Sequence, residues 1–238
     1  MRRLAVLAGA AALLGACGGG DDGELVVSAA SSLQRPLTEC TEGDDVKLQF
    51  AGSDELAAQI RKGVEPDVYA AANTKLPEQL ADEGLLEDVT VFATNRLVVA
   101  TAERSRVKGL DDLGDDGVRI AIGSDGVPVG DYTRALIGRL GERRGRAIRA
   151  NVRSEEPDAK GIVGKLEQGA VDAGFVYVTD ARAARLETIP LARALQPEID
   201  YGAGIVRHSD AARAFLASLT IGPCQDALRE AGFGAPRR

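Results

Sequence analysis

Short apolar runs alternate with amphipathic stretches along most of this chain. Strands are predicted at 25–27, 46–50 and 68–71, and apolar residues at helical spacing follow each run. The same pattern restarts after a further strand at 97–100 and continues from another at 118–122. Regular alternation of strands and helices predicts α/β architecture, with parallel sheets covered by helices on both faces.

The restart of the pattern predicts two doubly wound α/β lobes with a central cleft between them. We expect residues 24–98 and the C-terminal segment 203–238 to form the first lobe, and residues 99–202 to form the second. The chain would then cross between the lobes near Val99–Ala100 and again near Tyr201–Gly202.

Four polar or glycine-rich turns each precede a predicted helix. The start of a helix offers unpaired backbone N–H groups and the positive end of a dipole, so several starts at one point can hold a small anion. The turns therefore predict an anion cage. They are Ser31-Ser32, Gly52-Ser53-Asp54, Val127-Pro128-Val129-Gly130-Asp131 and Pro157-Asp158-Ala159.

The N-terminus predicts export. Residues 4–14 are eleven apolar or small residues after two arginines, too few to span a bilayer but typical of a secretory signal. The ending Leu14-Gly15-Ala16-Cys17 resembles the bacterial lipoprotein signal, in which the cysteine receives lipid after residues 1–16 are removed. We expect lipidation of Cys17, a flexible tether at 17–23 and anchoring to the outer face of the cytoplasmic membrane. The alternative is an ordinary cleaved signal peptide that leaves Cys17 free.

The chain is acidic. Loss of Arg2 and Arg3 with the signal peptide lowers the net charge from −7 by two units, to −9. Such a chain has no electrostatic footprint for nucleic acid. An anion site in it must act through local dipoles, against the overall field.

Enzyme chemistry is poorly supported by the sequence. The one histidine, His208, lies in a polar segment, and the chain has no Gly-x-Ser-x-Gly elbow. The sequence therefore offers no general base for a nucleophilic serine. One histidine and scattered cysteines cannot supply a zinc site. We expect no catalytic residue, no metal site and no cofactor.

Two cysteines remain if Cys17 carries lipid. Export places Cys40 and Cys224 in an oxidising compartment, which favours a disulfide between them. The alternative is a pair of buried free thiols.

Five segments in order resemble the molybdate-binding proteins of bacterial ABC importers, which have the type II periplasmic binding-protein fold. The match spans most of the chain after the signal, and the spacing of the segments is similar to that of the family. The segments are Val26–Leu33, Phe50–Ile60, Gly63–Asn73, Val127–Tyr132 and, as the fourth turn with its following strand, Glu156–Lys160 with Asp172–Tyr177.

The resemblance implies a ligand set, residue by residue. Ser32 and Ser53 match serines that donate hydroxyl and backbone N–H groups, although a one-residue slip would replace Ser32 by Ser31. Val129 and Ala159 match main-chain donors, and Tyr177 matches a phenol donor. The alternative assigns Ser32 and Ser53 to plain helix capping and Tyr177 to strand packing.

The function implied is capture of molybdate, and of tungstate, without covalent chemistry. About five to seven neutral donors would hold the dianion, closure of the lobes would complete the cage, and the closed monomer would dock on a membrane permease. The nearest alternative is another tetrahedral oxyanion such as sulfate or phosphate. A surface lipoprotein with an empty cleft that serves in adhesion or assembly, and a serine hydrolase that uses Ser32 or Ser53, are the alternatives from other classes.

Overall fold

Two five-stranded sheets organise residues 24–237, the part of the chain that the structure, a computed structural model, describes. We call each sheet with its helices a lobe. The predicted signal peptide (1–16), the tether (17–23) and the lipidation site Cys17 lie outside the described residues. Within residues 24–237, no helix combines the length and the apolar character needed to cross a membrane.

The first sheet has the strand order β2-β1-β3-β10-β4. Its parallel strands β1 to β3 each lead into a helix, as the alternating pattern predicts. The strands are β1 Leu25–Ala30, β2 Val46–Ala51, β3 Val68–Ala71, β4 Glu87–Thr94 and β10 Asp200–Ile205; the helices are α1 Gln34–Cys40, α2 Ser53–Arg61, α3 Lys75–Asp82, α8 Asp210–Ser218 and α9 Pro223–Ala231.

The second sheet has the strand order β7-β6-β8-β5-β9. Its core strands β6, β7 and β8 are parallel to one another. The strands are β5 Leu97–Thr101, β6 Ile120–Gly123, β7 Val152–Glu156, β8 Ala173–Tyr177 and β9 Glu187–Pro190; the helices are α4 Pro128–Arg139, α5 Glu142–Ala150, α6 Ala159–Glu167 and α7 Val178–Ala183.

The fold class is confirmed as two α/β lobes, but the expectation of purely parallel sheets is wrong at two strands. Strand β10 is antiparallel to β3 and β4, and β5 is antiparallel to β8 and β9. Both strands receive the chain as it arrives from the other lobe. Because the parallel strands end at the cleft, a strand that enters its sheet from the cleft must run in the opposite direction.

The changes of sheet occur a few residues before the predicted boundaries. The chain leaves the first sheet after Thr94 and enters the second at Leu97, and it re-enters the first sheet at Asp200. The apolar run 97–100 predicts a strand but not the sheet that it joins, and residues 200–205 contain no apolar run, so both predicted boundaries fall inside strands. The assignment of the other segments to lobes stays a prediction.

The C-terminal helix α9 is covalently linked to the first helix, α1. A disulfide joins Cys40, at the end of α1, to Cys224 in the first turn of α9, and the two Cα atoms lie 4.9 Å apart across 184 residues of sequence. Helix α9 packs directly on α1. The bond therefore holds the C-terminal segment on the first lobe.

Candidate functional site

The carboxyl ends of the parallel strands in both lobes open into one small cavity, which we call the cage. All five residues of the predicted ligand set line it, two from the first lobe and three from the second. Its lining residues include Ser31, Ser32, Gly52, Ser53, Val129, Asp158, Ala159 and Tyr177. The space open to the centre of a water-sized molecule is about 10 Å³, so the cage suits a compact ligand.

Three helices begin at the cage. Helix α2 starts at Ser53, α4 at Pro128 and α6 at Ala159, with Gly52, Val127 and Asp158 as their N-cap residues. The first-turn N–H groups of a helix have no partner within the helix, and the dipole is positive at this end. The three starts concentrate backbone donors and partial positive charge on one small space.

Ser53 is the first residue of α2 rather than its cap. The capping alternative fails here, because no side chain caps α2 and Gly52 occupies the N-cap position. The Ala72 N–H donates to Ser53 Oγ at 3.1 Å, and the Tyr69 hydroxyl donates to the Ser53 carbonyl at 2.7 Å. Since Oγ already accepts one hydrogen bond from the backbone, its own hydrogen is left to donate to a ligand.

Ser32 belongs to a hydrogen-bond network that reaches both lobes. Its Oγ lies 3.0 Å from the Tyr201 hydroxyl on β10. Asn95 Nδ2 donates to the same hydroxyl at 3.3 Å and lies 2.9 Å from Thr179 Oγ1 in α7. Ser31 also lines the cage and is equally buried, so the choice between the two serines stays open.

Tyr177 brings a buried phenol to the cage from the end of β8. Its hydroxyl has no hydrogen-bond partner among the described residues, and its ring packs edge-on against Tyr201 with centroids 5.8 Å apart. Burial raises the pKa of the Tyr177 phenol well above its usual range. The hydroxyl therefore stays protonated and can act as a donor.

The electrostatics of the cage are those of neutral dipoles. Among its described lining residues there is no lysine or arginine. Its one carboxylate, Asp158, accepts from the Gly161 N–H at 2.8 Å and so caps α6. Asp131, in the third turn, accepts from the Gly126 N–H at 3.0 Å instead of facing the cage. Such a site attracts an anion through N–H and O–H groups.

The lobes meet at the rim of the cage. A Cβ atom added to Gly52 would lie 2.5 Å from the carbonyl oxygen of Pro157, which belongs to the other lobe. Lys160 Nζ also contacts Gln34 Oε1 across the same gap. At this point only glycine permits the observed approach, so the arrangement is a closed one.

The other candidate chemistry lies apart from the cage. His208 contacts Glu87 at 2.8 Å on the surface of the first lobe and does not line the cage. Within residues 24–237, no three or more His, Cys, Asp or Glu side chains are grouped as a metal site would need.

Sequence reasoning missed Tyr201 and Asn95 as parts of the site. Tyr201 was placed only at a crossing between the lobes, and Asn95 was not singled out. A usable signal existed: both are polar side chains at segments where the chain changes lobe, next to the predicted cleft.

Comparisons with known proteins agree with this geometry. The family described as bacterial extracellular solute-binding protein matches residues 25–234. The molybdate-binding protein ModA of Mycobacterium tuberculosis is 32% identical over 227 residues, which cover 89% of this chain and 85% of the relative.

Two solved structures share the fold. The periplasmic molybdate-binding protein of Azotobacter vinelandii superposes with a TM-score of 0.78 at 21% identity, covering 90% of this chain and 100% of its own. The sulfate-binding protein SubI of Mycobacterium tuberculosis superposes with a TM-score of 0.75 at 15% identity, covering 88% and 85%.

Proposed function

Since this chain belongs to the molybdate-binding group of the bacterial extracellular solute-binding proteins, we propose that it captures molybdate, and tungstate, in the cage for an ABC importer. The observation that carries the proposal is that Ser32, Ser53, Val129, Ala159 and Tyr177 line one small cavity from both lobes. Their donors are neutral, and the capture involves no covalent step.

Neutral donors make the size of the cage the main selector. A tetrahedral dianion gives up its hydration water. It then accepts hydrogen bonds from the hydroxyl groups of the serines and the tyrosine and from backbone N–H groups at three helix starts. A smaller anion leaves some of these bonds stretched, and a protonated oxyanion needs an acceptor that a cage of donors lacks.

Closure of the lobes completes the ligand set. The two serines stand on the first lobe, and the other three residues stand on the second. When the lobes are apart, each side offers only part of the donors, so ligand binding favours the closed state. That closed state is the form that we propose docks on the permease.

Sulfate is the second candidate. The cage is small, and the side chain of Val129 is buried in its wall. The fold is also shared with a sulfate-binding protein. A narrower cage would shift preference towards the smaller dianion.

The N-terminal segment supports a membrane anchor for the protein. We propose that Cys17 carries lipid and that residues 17–23 tether a monomer to the outer face of the cytoplasmic membrane. Mass spectrometry of the membrane fraction would detect the diacylglyceryl group on Cys17, and an unmodified soluble protein would contradict it.

Isothermal titration of the purified protein with molybdate, tungstate, sulfate and phosphate tests the ligand. We expect tight binding of the first two, with sulfate weaker by about a hundredfold or more, a difference of roughly 3 kcal/mol. Equal or stronger binding of sulfate would transfer the assignment to the second candidate. Absence of binding with all four anions would overturn the proposed function.

The Ser53→Ala variant tests the site. Loss of a hydrogen bond to a charged ligand costs about 1.5 to 3 kcal/mol, so we expect molybdate affinity to fall about 10- to 100-fold. Ser209→Ala is the matched control, because Ser209 Oγ accepts from the Ala212 N–H and caps α8 away from the cage. It should lose stability without losing affinity, whereas unchanged binding by Ser53→Ala would contradict the proposed site.

A further inference from the structure

A second cavity adjoins the cage and shares two of its walls. This outer cavity measures about 390 Å³ and lies between α1 of the first lobe and α6 and α7 of the second. Ser31 and Ser32 line both spaces, and Asp180 lines the outer one. Ser31 and Ser32 therefore form a wall that is common to the cage and to the cavity that Asp180 lines.

Asp180 occupies an unusual position for a carboxyl group. It lies in the first turn of α7, a helix that begins directly after the cage residue Tyr177. Its Oδ2 atom is buried and has no hydrogen-bond partner among the described residues. A buried carboxylate oxygen without a donor is costly when it is ionised, whereas the neutral acid is tolerated much better.

The charges around Asp180 favour its neutral form. Burial and then the carboxylate of Asp158 raise the pKa of Asp180 to about 7, while Lys160 and a backbone hydrogen bond oppose the rise. The ammonium group of Lys160 is engaged with Gln34 across the gap between the lobes. The phenols of Tyr177 and Tyr201 add no charge, because burial raises the pKa of each well above its usual range.

The remaining walls add no charge that would hold Asp180 ionised. On α1, Arg35 pairs with Glu39 at 2.9 Å, and both side chains are exposed. The C-terminal segment contributes the uncharged Ala231 and Phe233. On α7 itself, Arg182 extends towards Gly232 and does not line the outer cavity.

We propose that Asp180 is a proton-binding site linked to anion capture, so that its carboxyl group takes up a proton from solvent when a dianion enters the cage. The proposal rests on the proposed function, because it needs an anion in the cage. A dianion across Ser31 and Ser32 repels an ionised Asp180 and favours the neutral acid. Bound ligand therefore raises the proton affinity of Asp180, and by reciprocity a protonated Asp180 raises the affinity for the ligand.

The affinity for the anion should therefore depend on pH. Below about pH 7 Asp180 is already neutral in the free protein, so binding takes up few protons and affinity is at its highest. Above that value the free carboxyl group is ionised, and each binding event takes up as much as one proton. Affinity then falls as pH rises, by at most about tenfold per pH unit.

Calorimetry with molybdate at about pH 6, 7 and 8, in pairs of buffers with different ionisation heats, tests the linkage. We expect the wild-type protein to take up between about half a proton and one proton per anion at pH 8, and its Kd to rise severalfold from pH 7 to pH 8. Molybdate binding without proton uptake at pH 8 would overturn the proposal. This measurement needs no variant, and it keeps the test independent of how a substitution folds.

The Asp180→Asn variant tests whether Asp180 is the residue that takes up the proton. It should bind molybdate with nearly the same affinity across this pH range, whereas Asp210→Asn, an exposed change at the start of α8, should keep the wild-type pH dependence. Proton uptake that persists in Asp180→Asn would overturn the assignment. Absence of binding by any oxyanion would instead overturn the proposed function, so the two failures are distinguishable.

Discussion

The hydroxyl of Tyr201 lies 3.0 Å from Oγ of Ser32, although 169 residues separate them in sequence. Tyr201 stands on the strand that returns the chain to the first lobe, and Ser32 stands in the turn that follows the first strand. Asn95, at the outward crossing, reaches the same hydroxyl. Residues from both segments that connect the lobes thus meet at the Tyr201 hydroxyl, and Tyr201 in turn contacts Ser32 of the cage.

Tyr201→Phe removes the group that orients Ser32. We expect molybdate affinity to fall about 5- to 10-fold, since one neutral hydrogen bond is worth about 1 to 1.5 kcal/mol and Ser32 keeps its own donor. Isothermal titration measures the change. Tyr132→Phe, on α4 outside the cage, is the control and should bind as the wild type does. Equal affinities for the two variants would contradict a positioning role for Tyr201.

Tyr177→Phe should separate stability from binding. The hydroxyl has no partner among the described residues, so its removal should leave the free energy of unfolding unchanged or raise it by up to about 1 kcal/mol. The same change should weaken molybdate binding about 10- to 100-fold, because a bond to a charged ligand is lost. Thermal unfolding with and without molybdate measures both effects. A marked loss of stability without ligand would show that the phenol serves packing instead.

Gly52→Ala should hold the lobes apart. The added methyl group would lie 2.5 Å from the Pro157 carbonyl oxygen, so the two backbones must move apart at this contact between the lobes. We expect affinity to fall at least tenfold, while the radius of gyration measured by small-angle scattering with molybdate stays larger than that of the wild type.

Gly164→Ala, on α6, is the control for this effect, because an added Cβ atom there meets nothing within 4 Å. Wild-type compaction of Gly52→Ala on addition of molybdate would show that the contact does not limit closure.

Removal of the disulfide should destabilise the protein without weakening molybdate binding markedly. The bond between Cys40 and Cys224 closes a loop of 184 residues, for which chain entropy gives at most about 5 kcal/mol. We expect the Cys40→Ser and Cys224→Ser double variant to unfold at a lower temperature and to bind molybdate within about threefold of the wild type. An unchanged melting temperature would contradict a stabilising role for the bond.

Local signals in the sequence predict the turns of the cage, and the resemblance to a known family supplied the ligand set within and beside them. Ser53, Val129 and Ala159 each stand at the start of a helix after a short polar or glycine-rich turn, and such starts are visible in sequence. The structure brings all five predicted residues to one cavity. The two-lobed α/β class followed equally from the alternation of strands and helices.

The parts that sequence did not predict depend on long-range geometry. The antiparallel direction of β5 and β10 follows from where the chain enters each sheet, and the residues of a short strand carry no such information. Tyr201 meets Ser32 only after both crossings are in place, and Gly52 meets Pro157 only when the lobes are together. No local signal marks Asp180, because its unpaired oxygen exists only in the folded protein.

A cage without cations in an acidic protein has a kinetic consequence. At long range, the net negative charge, −7 for the full chain and −9 without the signal peptide, slows the approach of a dianion, and attraction begins only within a few ångströms of the helix starts. Dissolved salt shortens the reach of that repulsion to about 10 Å at 0.1 M. Capture of the anion should therefore become faster as ionic strength rises, opposite to the behaviour of proteins that steer anions with lysine and arginine.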